Sequence, residues 1–105
     1  MAVMGKPRNE PPNTWDTWKR TPVQDAGNEI YYCILEDGIV QGGNADNVWV
    51  WHWHTPTEGA ERWALSACGL HTVEKVEPLT LSPSLACENG CPSHGYIVDG
   101  IWRPV

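Results

Sequence analysis

Apolar and polar positions alternate most strictly in the stretch VWVWHWHT, near the middle of the chain. A period of two places successive side chains on opposite faces of a β-strand. Trp49, Trp51 and Trp53 therefore share one face, and His52 and His54 share the other. Because the chain has no phenylalanine, we expect the three indoles to supply core volume on a central strand. A docking surface is the alternative interpretation of these indoles.

Turn signals separate several further apolar runs. Asp-Gly pairs occur in IYYCILEDGIVQGG and in GYIVDGIWRPV, and such pairs favour hairpins because both residues tolerate positive φ. Two more strand candidates, RWALSACGLHTVEKV and LTLSPSLAC, lie on either side of Glu77 and Pro78. No segment has a sustained helical period. The pattern predicts a mainly β protein, a small antiparallel sheet of hairpins.

The first quarter of the chain has a different composition. Four prolines interrupt residues 1–28, and proline removes a backbone donor and favours extended conformations. We therefore predict an extended N-terminal arm over residues 1–28 and a small β domain over residues 29–105. Trp15 and Trp18 indicate that the arm is docked, since disordered segments are poor in aromatic residues. We expect both indoles to bind a neighbouring subunit or a groove of the same chain, and we favour the neighbour.

Length and charge limit the classes of function. The chain has 105 residues, and a domain of this size often needs a metal, disulfides or a partner for stability. Its net charge of -6 opposes attraction to phosphate backbones, so we expect no nucleic-acid partner. No stretch is apolar enough to span a bilayer, and the N-terminus lacks the apolar core of a signal peptide. We expect no membrane partner, no secretion and a reducing compartment.

Chemistry-bearing residues are densest in LTLSPSLACENGCPSHGYIVDG. If the chain turns back at Glu77 and Pro78, Cys68 lies opposite Cys87, and the turn that follows returns the next cysteine and histidine to the same place. The candidate metal ligands are then Cys68, His71, Cys87, Cys91 and His94.

The ligand spacing is close to that of zinc sites. Zinc takes about four sulfur and nitrogen ligands, often from knuckles with two intervening residues. Cys91 and His94 have this spacing, as do Cys68 and His71, whereas Cys87 and Cys91 are separated by three residues. One alternative is that these are buried thiols and surface imidazoles. Another is a disulfide, Cys68 to Cys87 or Cys87 to Cys91, which a reducing compartment disfavours.

The C-terminal part of the chain resembles a known kind of domain. The resemblance rests on LTLSPS, Cys87, Cys91, His94-Gly95 and Asp99-Gly100. These pieces are similar to an uncharacterised small domain family of actinobacterial phages, related to domains near bacterial ubiquitin-like conjugation genes. The resemblance covers under half of the chain and implies no known activity. It implies metal binding, with zinc held by Cys87, Cys91, His94 and, as the fourth ligand, His71.

A catalytic metal site at His52 and His54 has weaker support than the structural zinc site. His52 and His54 are about 6.6 Å apart by the strand repeat, a spacing that some catalytic zinc sites use. No acidic residue lies between them, and imidazoles on a solvated strand face explain the pair more simply. A full set of Cys and His ligands would also leave no position for a catalytic water.

These observations lead to one expected function and two alternatives. We expect a non-enzymatic phage protein, a β domain stapled by one structural zinc that works with other phage protein subunits as a virion or assembly component. It would reside in the virion or in the host bacterial cytoplasm. The first alternative is a small accessory protein that binds a host factor or a small ligand. The second is a metal-dependent hydrolase.

Overall fold

The computed structural model describes residues 7–15, 21–35, 38–87 and 91–105. A turn of 3-10 helix at Pro12–Thr14 precedes the strands β1 Gln24–Gly27, β2 Ile30–Ile34, β3 Asn44–His54, β4 Arg62–Lys75, β5 Thr80–Ser82, β6 Leu85–Ala86, β7 His94–Val98 and β8 Ile101–Pro104. One sheet has the order β1-β2-β3-β4-β5, and a smaller sheet has the order β6-β7-β8. Every pairing is antiparallel. The predicted mainly β, antiparallel fold is confirmed.

The central strand β3 presents its indoles on one face, which we call the indole face. Trp51 is fully buried there, and Trp49 and Trp53 are half-buried. Tyr31 of β2 lies opposite Trp51 in the register. Trp63 of β4 is fully buried in the same cluster and meets the Trp53 ring edge-on at 5.2 Å between centroids. Trp51 and Trp53 thus contribute to an aromatic core, as the alternation predicts, whereas Trp49 is half-buried outside that cluster.

The opposite face of β3, which we call the core face, carries the larger apolar core. Val48 and Val50 belong to one buried cluster with Val73 of β4, Ile97 of β7 and Trp102 of β8. The small sheet therefore covers the core face of the large sheet. Two layers that share an apolar interior are a usual way to bury one face of each sheet.

The two Asp-Gly signals have different outcomes. The second is confirmed, because Val98 pairs with Ile101 around Asp99 and Gly100, whose φ angles are 53° and 76°. These left-handed values are those of a two-residue hairpin. At the first signal, β2 pairs with β3 rather than with the run that follows Gly38. Residues 36–37 of that signal lie outside the described part of the chain.

The turn near Glu77 and Pro78 is confirmed, but the pairing beyond it is shorter than expected. Thr72 pairs with Ser82 at the far end of the β4–β5 ladder. Pro83 follows, and a proline cannot donate to a ladder. The chain then enters β6, which pairs with β7 in the small sheet. The expectation that Cys68 faces Cys87 is therefore wrong.

The described part of the N-terminal arm lies against its own chain. The ring of Trp15 meets Trp51 edge-on at 5.1 Å between centroids. The indole nitrogen of Trp63 donates a hydrogen bond of 3.1 Å to the carbonyl of Pro7. Strand β1, within the predicted arm, is an edge strand of the large sheet. Trp18 lies outside the described residues, so its predicted contact remains a prediction.

Candidate metal centre

A group of four side chains on the core face could hold a metal ion. Its members are His52, His54, Cys87 and Cys91. One ligand atom from each lies within 4.8 Å of all the others. The Cys87 sulfur is 3.2 Å from Nε2 of His52 and 3.1 Å from Nδ1 of His54.

These separations resemble the edges of a zinc coordination tetrahedron. Nitrogen and sulfur ligands at about 2.0 to 2.3 Å from zinc are about 3.3 to 3.8 Å from one another. The two nitrogen–sulfur distances fall just below that range, and no separation in the group exceeds it by more than about 1 Å. The four residues therefore fit a His₂Cys₂ centre after small side-chain adjustments.

Strand β3 supplies the two imidazoles. Residues two apart in a strand point to the same face about 6.6 Å apart, and the His52 and His54 rings meet edge-on at 5.4 Å between centroids. Only 8% of His52 and 4% of His54 is exposed. The expectation of imidazoles on a solvated face is wrong, because the small sheet and its loops cover this end of the core face.

The loop that joins β6 to β7 supplies the two thiols. Cys87 follows β6 directly, and its backbone N–H donates a 2.8 Å hydrogen bond to the carbonyl of Ser93. This bond closes the base of the loop next to the β6–β7 ladder. Cys91 lies within the loop and is buried. The Thr55 hydroxyl, just after β3, is 3.9 Å from the Cys91 sulfur, so the loop contacts the end of β3.

Electrostatics favour the protonation states that bind metals. Burial raises the pKa of Cys91, but hydrogen bonds from the backbone of Thr55 and Ser93, the Ser93 side chain and Cys87 together lower it to about 5. Cys91 is then a thiolate at neutral pH, the form that coordinates metals. Burial is also the largest influence on His52 and lowers its pKa, which keeps the imidazole neutral as a ligand requires.

Cys87 and Cys91 lie in the group, as predicted, but His71 and His94 lie outside it. Nε2 of His71 is 3.1 Å from the Ser84 carbonyl, and Nε2 of His94 is 2.9 Å from the Ser84 hydroxyl. His94 is exposed beside the buried Gly95, because neighbours in β7 face opposite ways. The predicted ligand set is corrected accordingly, with both imidazoles coming from β3.

The remaining cysteines belong to the apolar interior. Cys33 and Cys68 are buried, and burial raises the pKa of Cys68 to about 12, so its thiol stays neutral. All four cysteines are among the described residues, and none forms a disulfide. Both disulfides considered above, Cys68 to Cys87 and Cys87 to Cys91, are therefore absent from this structure.

The sequence contained one signal for the missed ligands. Strict alternation already placed His52 and His54 on a shared face of β3. The alternation could not predict which segment packs over that face. The segment contains Cys87, which is more than 30 positions away in the sequence. Two histidines on one face of a strand can bind a metal as a pair only when a distant segment supplies the remaining ligands.

Comparisons with protein-family models, with curated proteins and with solved structures find no match to this chain. The resemblance to a phage domain family therefore stays a prediction. The described residues include no helix with the length and apolarity of a membrane span. Function is inferred from the site itself.

Proposed function

We propose that this protein is a non-enzymatic β module stapled by one structural zinc ion, held by His52, His54, Cys87 and Cys91. The observation that carries the proposal is the convergence of four nitrogen and sulfur ligand atoms within 4.8 Å of one another. Two imidazoles and two thiolates form a borderline-soft set, which suits zinc better than magnesium or calcium.

The number of protein ligands supports a structural role. A catalytic zinc usually has three protein ligands and keeps its fourth position for water or substrate. Four protein ligands fill a tetrahedron and leave no such position. A metal-dependent hydrolase is therefore the less favoured function for this group.

The position of the group explains what a metal would stabilise. His52 and His54 belong to the large sheet, whereas Cys87 and Cys91 flank the loop of the small sheet. The first strand of the small sheet, β6, has only two residues. A metal ion bound to all four side chains joins the two layers, and its binding free energy becomes folding free energy.

Such a module would act through its surfaces. We propose that it serves as a binding or assembly component, and the resemblance of its C-terminal part suggests phage protein subunits as partners. The described contact of Trp15 is with Trp51 of the same chain, which corresponds to the same-chain groove rather than to the neighbouring subunit. Mass spectrometry of purified virions tests the virion role, which requires this chain as a stoichiometric component.

The metal centre is tested by metal content in matched histidine variants. Elemental analysis of the full chain should find about one zinc per molecule. His52→Gln and His54→Gln should lose most of it, because each removes a ligand. His71→Gln and His94→Gln are the matched controls and should keep it. Folded wild-type protein without metal, or metal loss only in the two controls, would refute the proposed centre.

A further inference from the structure

We propose that a cleft between the two sheets binds a small aromatic ring that carries one hydrogen-bond donor, the chemistry of a phenol. The cleft lies on the core face and has a volume of about 120 Å³. It is lined by Ile30, Val50, His52, Ser66, Ala67, Cys68, His71, Leu85, Ala86, Cys87, Ser93 and Trp102. The lining includes His52 and Cys87 of the candidate metal centre, and the ring is proposed for the volume beside them.

The walls of the cleft favour an apolar ring. Ile30 and Val50 come from the large sheet, and Leu85 and Trp102 come from the small one. Cys68 adds a thiol that burial keeps neutral, with its pKa raised to about 12. An apolar cavity of about 150 Å³ can hold benzene, so the volume of this partly open cleft suits one six-membered ring.

His71 supplies the hydrogen-bond acceptor for the donor group of the ligand. Its Nε2 lies 3.1 Å from the Ser84 carbonyl oxygen, and a carbonyl oxygen only accepts, so Nε2 carries the hydrogen. In the neutral ring Nδ1 is then an acceptor. This Nδ1 is buried and has no hydrogen-bond partner among the described residues. Buried polar atoms normally have a partner, and a hydroxyl on a ring in the cleft would provide one after a small local shift.

The rim of the cleft indicates how a ligand would enter. Ser66, Ala67 and Ala86 line the cleft and are exposed. Ser66 lies opposite Val50 in the β3–β4 ladder, so its side chain is on the core face at the opening. A large side chain at Ser66 would close the entrance without altering the buried walls.

The test is a titration of the zinc-loaded full chain with phenol and with toluene, which has the same shape but no donor. ¹H–¹⁵N NMR would follow the Trp102 indole and the His71 ring. We expect both ligands to saturate these shifts. The preference for phenol over toluene should fall roughly 2- to 10-fold in His71→Phe, the loss expected for one hydrogen bond. Shifts that never saturate, or a preference unchanged by His71→Phe, would overturn the proposal.

A second pair of variants separates the cleft from other surfaces. Ser66→Phe should abolish binding of both ligands. Thr72→Phe, at another exposed position of β4, should leave binding unchanged, and equal effects of the two variants would contradict the assigned site. Zinc content is measured on the same samples. Metal without phenol binding refutes only this inference, whereas phenol binding without metal refutes only the proposed zinc centre.

Discussion

The two faces of β3 are held in different ways although they alternate residue by residue. The indole face is covered by residues 7–15 and is stabilised by edge-to-face rings, such as Trp15 on Trp51. The end of the core face instead buries His52 and His54 against two thiols. The indole face is thus stabilised mainly by packed aromatic rings, whereas the end of the core face buries polar groups that require a partner.

The largest expected effect is on the core face. Cys91→Ser, or removal of the metal with a chelator, should abolish the cooperative unfolding transition, because structural zinc contributes about 10 to 16 kcal/mol of apparent binding free energy in small metal domains. Thermal unfolding followed by near-ultraviolet circular dichroism measures this. His94→Gln, which changes an exposed residue outside the group, should unfold like wild type. An unchanged transition in Cys91→Ser would mean that no metal staples the fold.

The next effect is on the indole face. Trp51→Ala should lower the free energy of unfolding by about 3 to 5 kcal/mol, because it empties a fully buried aromatic site. Urea denaturation gives the value, and zinc content should stay at the wild-type level. Tyr96→Ala, at an exposed aromatic residue, is the control and should change stability by less than about 0.5 kcal/mol. Equal effects of the two variants would contradict the assignment of Trp51 to the core.

A smaller effect is expected where the arm meets the sheet. Trp15→Ala should cost about 1 to 2 kcal/mol, since Trp15 is only half-buried and an edge-to-face pair adds about 0.5 to 1.5 kcal/mol to area burial. Urea denaturation together with sedimentation measures stability and association on the same variant. A loss of association at unchanged monomer stability would instead show that Trp15 binds a neighbouring subunit, as the sequence first suggested.

The smallest effect depends on pH. Arg8 donates a 2.7 Å hydrogen bond to Glu29, and this bond lowers the Glu29 pKa below 4.5. A lowered carboxyl pKa adds stability above the unfolded value, and that stability is lost as the pH falls through the folded value. The stability difference between wild type and Glu29→Gln should therefore shrink below pH 4.5. A difference that stays constant on acidification would show that the ion pair does not anchor the arm.

The sequence predicted more of the fold than of the site. Period-two alternation and Asp99-Gly100 were enough for β3, for the β7–β8 hairpin and for the antiparallel class, since these depend on local geometry. Cys87 and Cys91 were also found, because their spacing is local. The imidazoles of the candidate group come from β3 and not from His71 and His94, because the path of the chain after Pro83 decides which strand the thiols approach. Such a path depends on packing between sheets, and no local spacing encodes it.

The central claim is that one metal ion joins the two layers through His52, His54, Cys87 and Cys91. X-ray absorption at the zinc edge of the purified full chain tests it most directly. We expect two sulfur atoms at about 2.3 Å and two nitrogen atoms at about 2.0 to 2.1 Å, the same shell in His71→Gln, and little zinc left to measure in His54→Gln. Fewer than two sulfur atoms in the wild-type shell, or a shell that changes in His71→Gln while His54→Gln keeps its zinc, would contradict it.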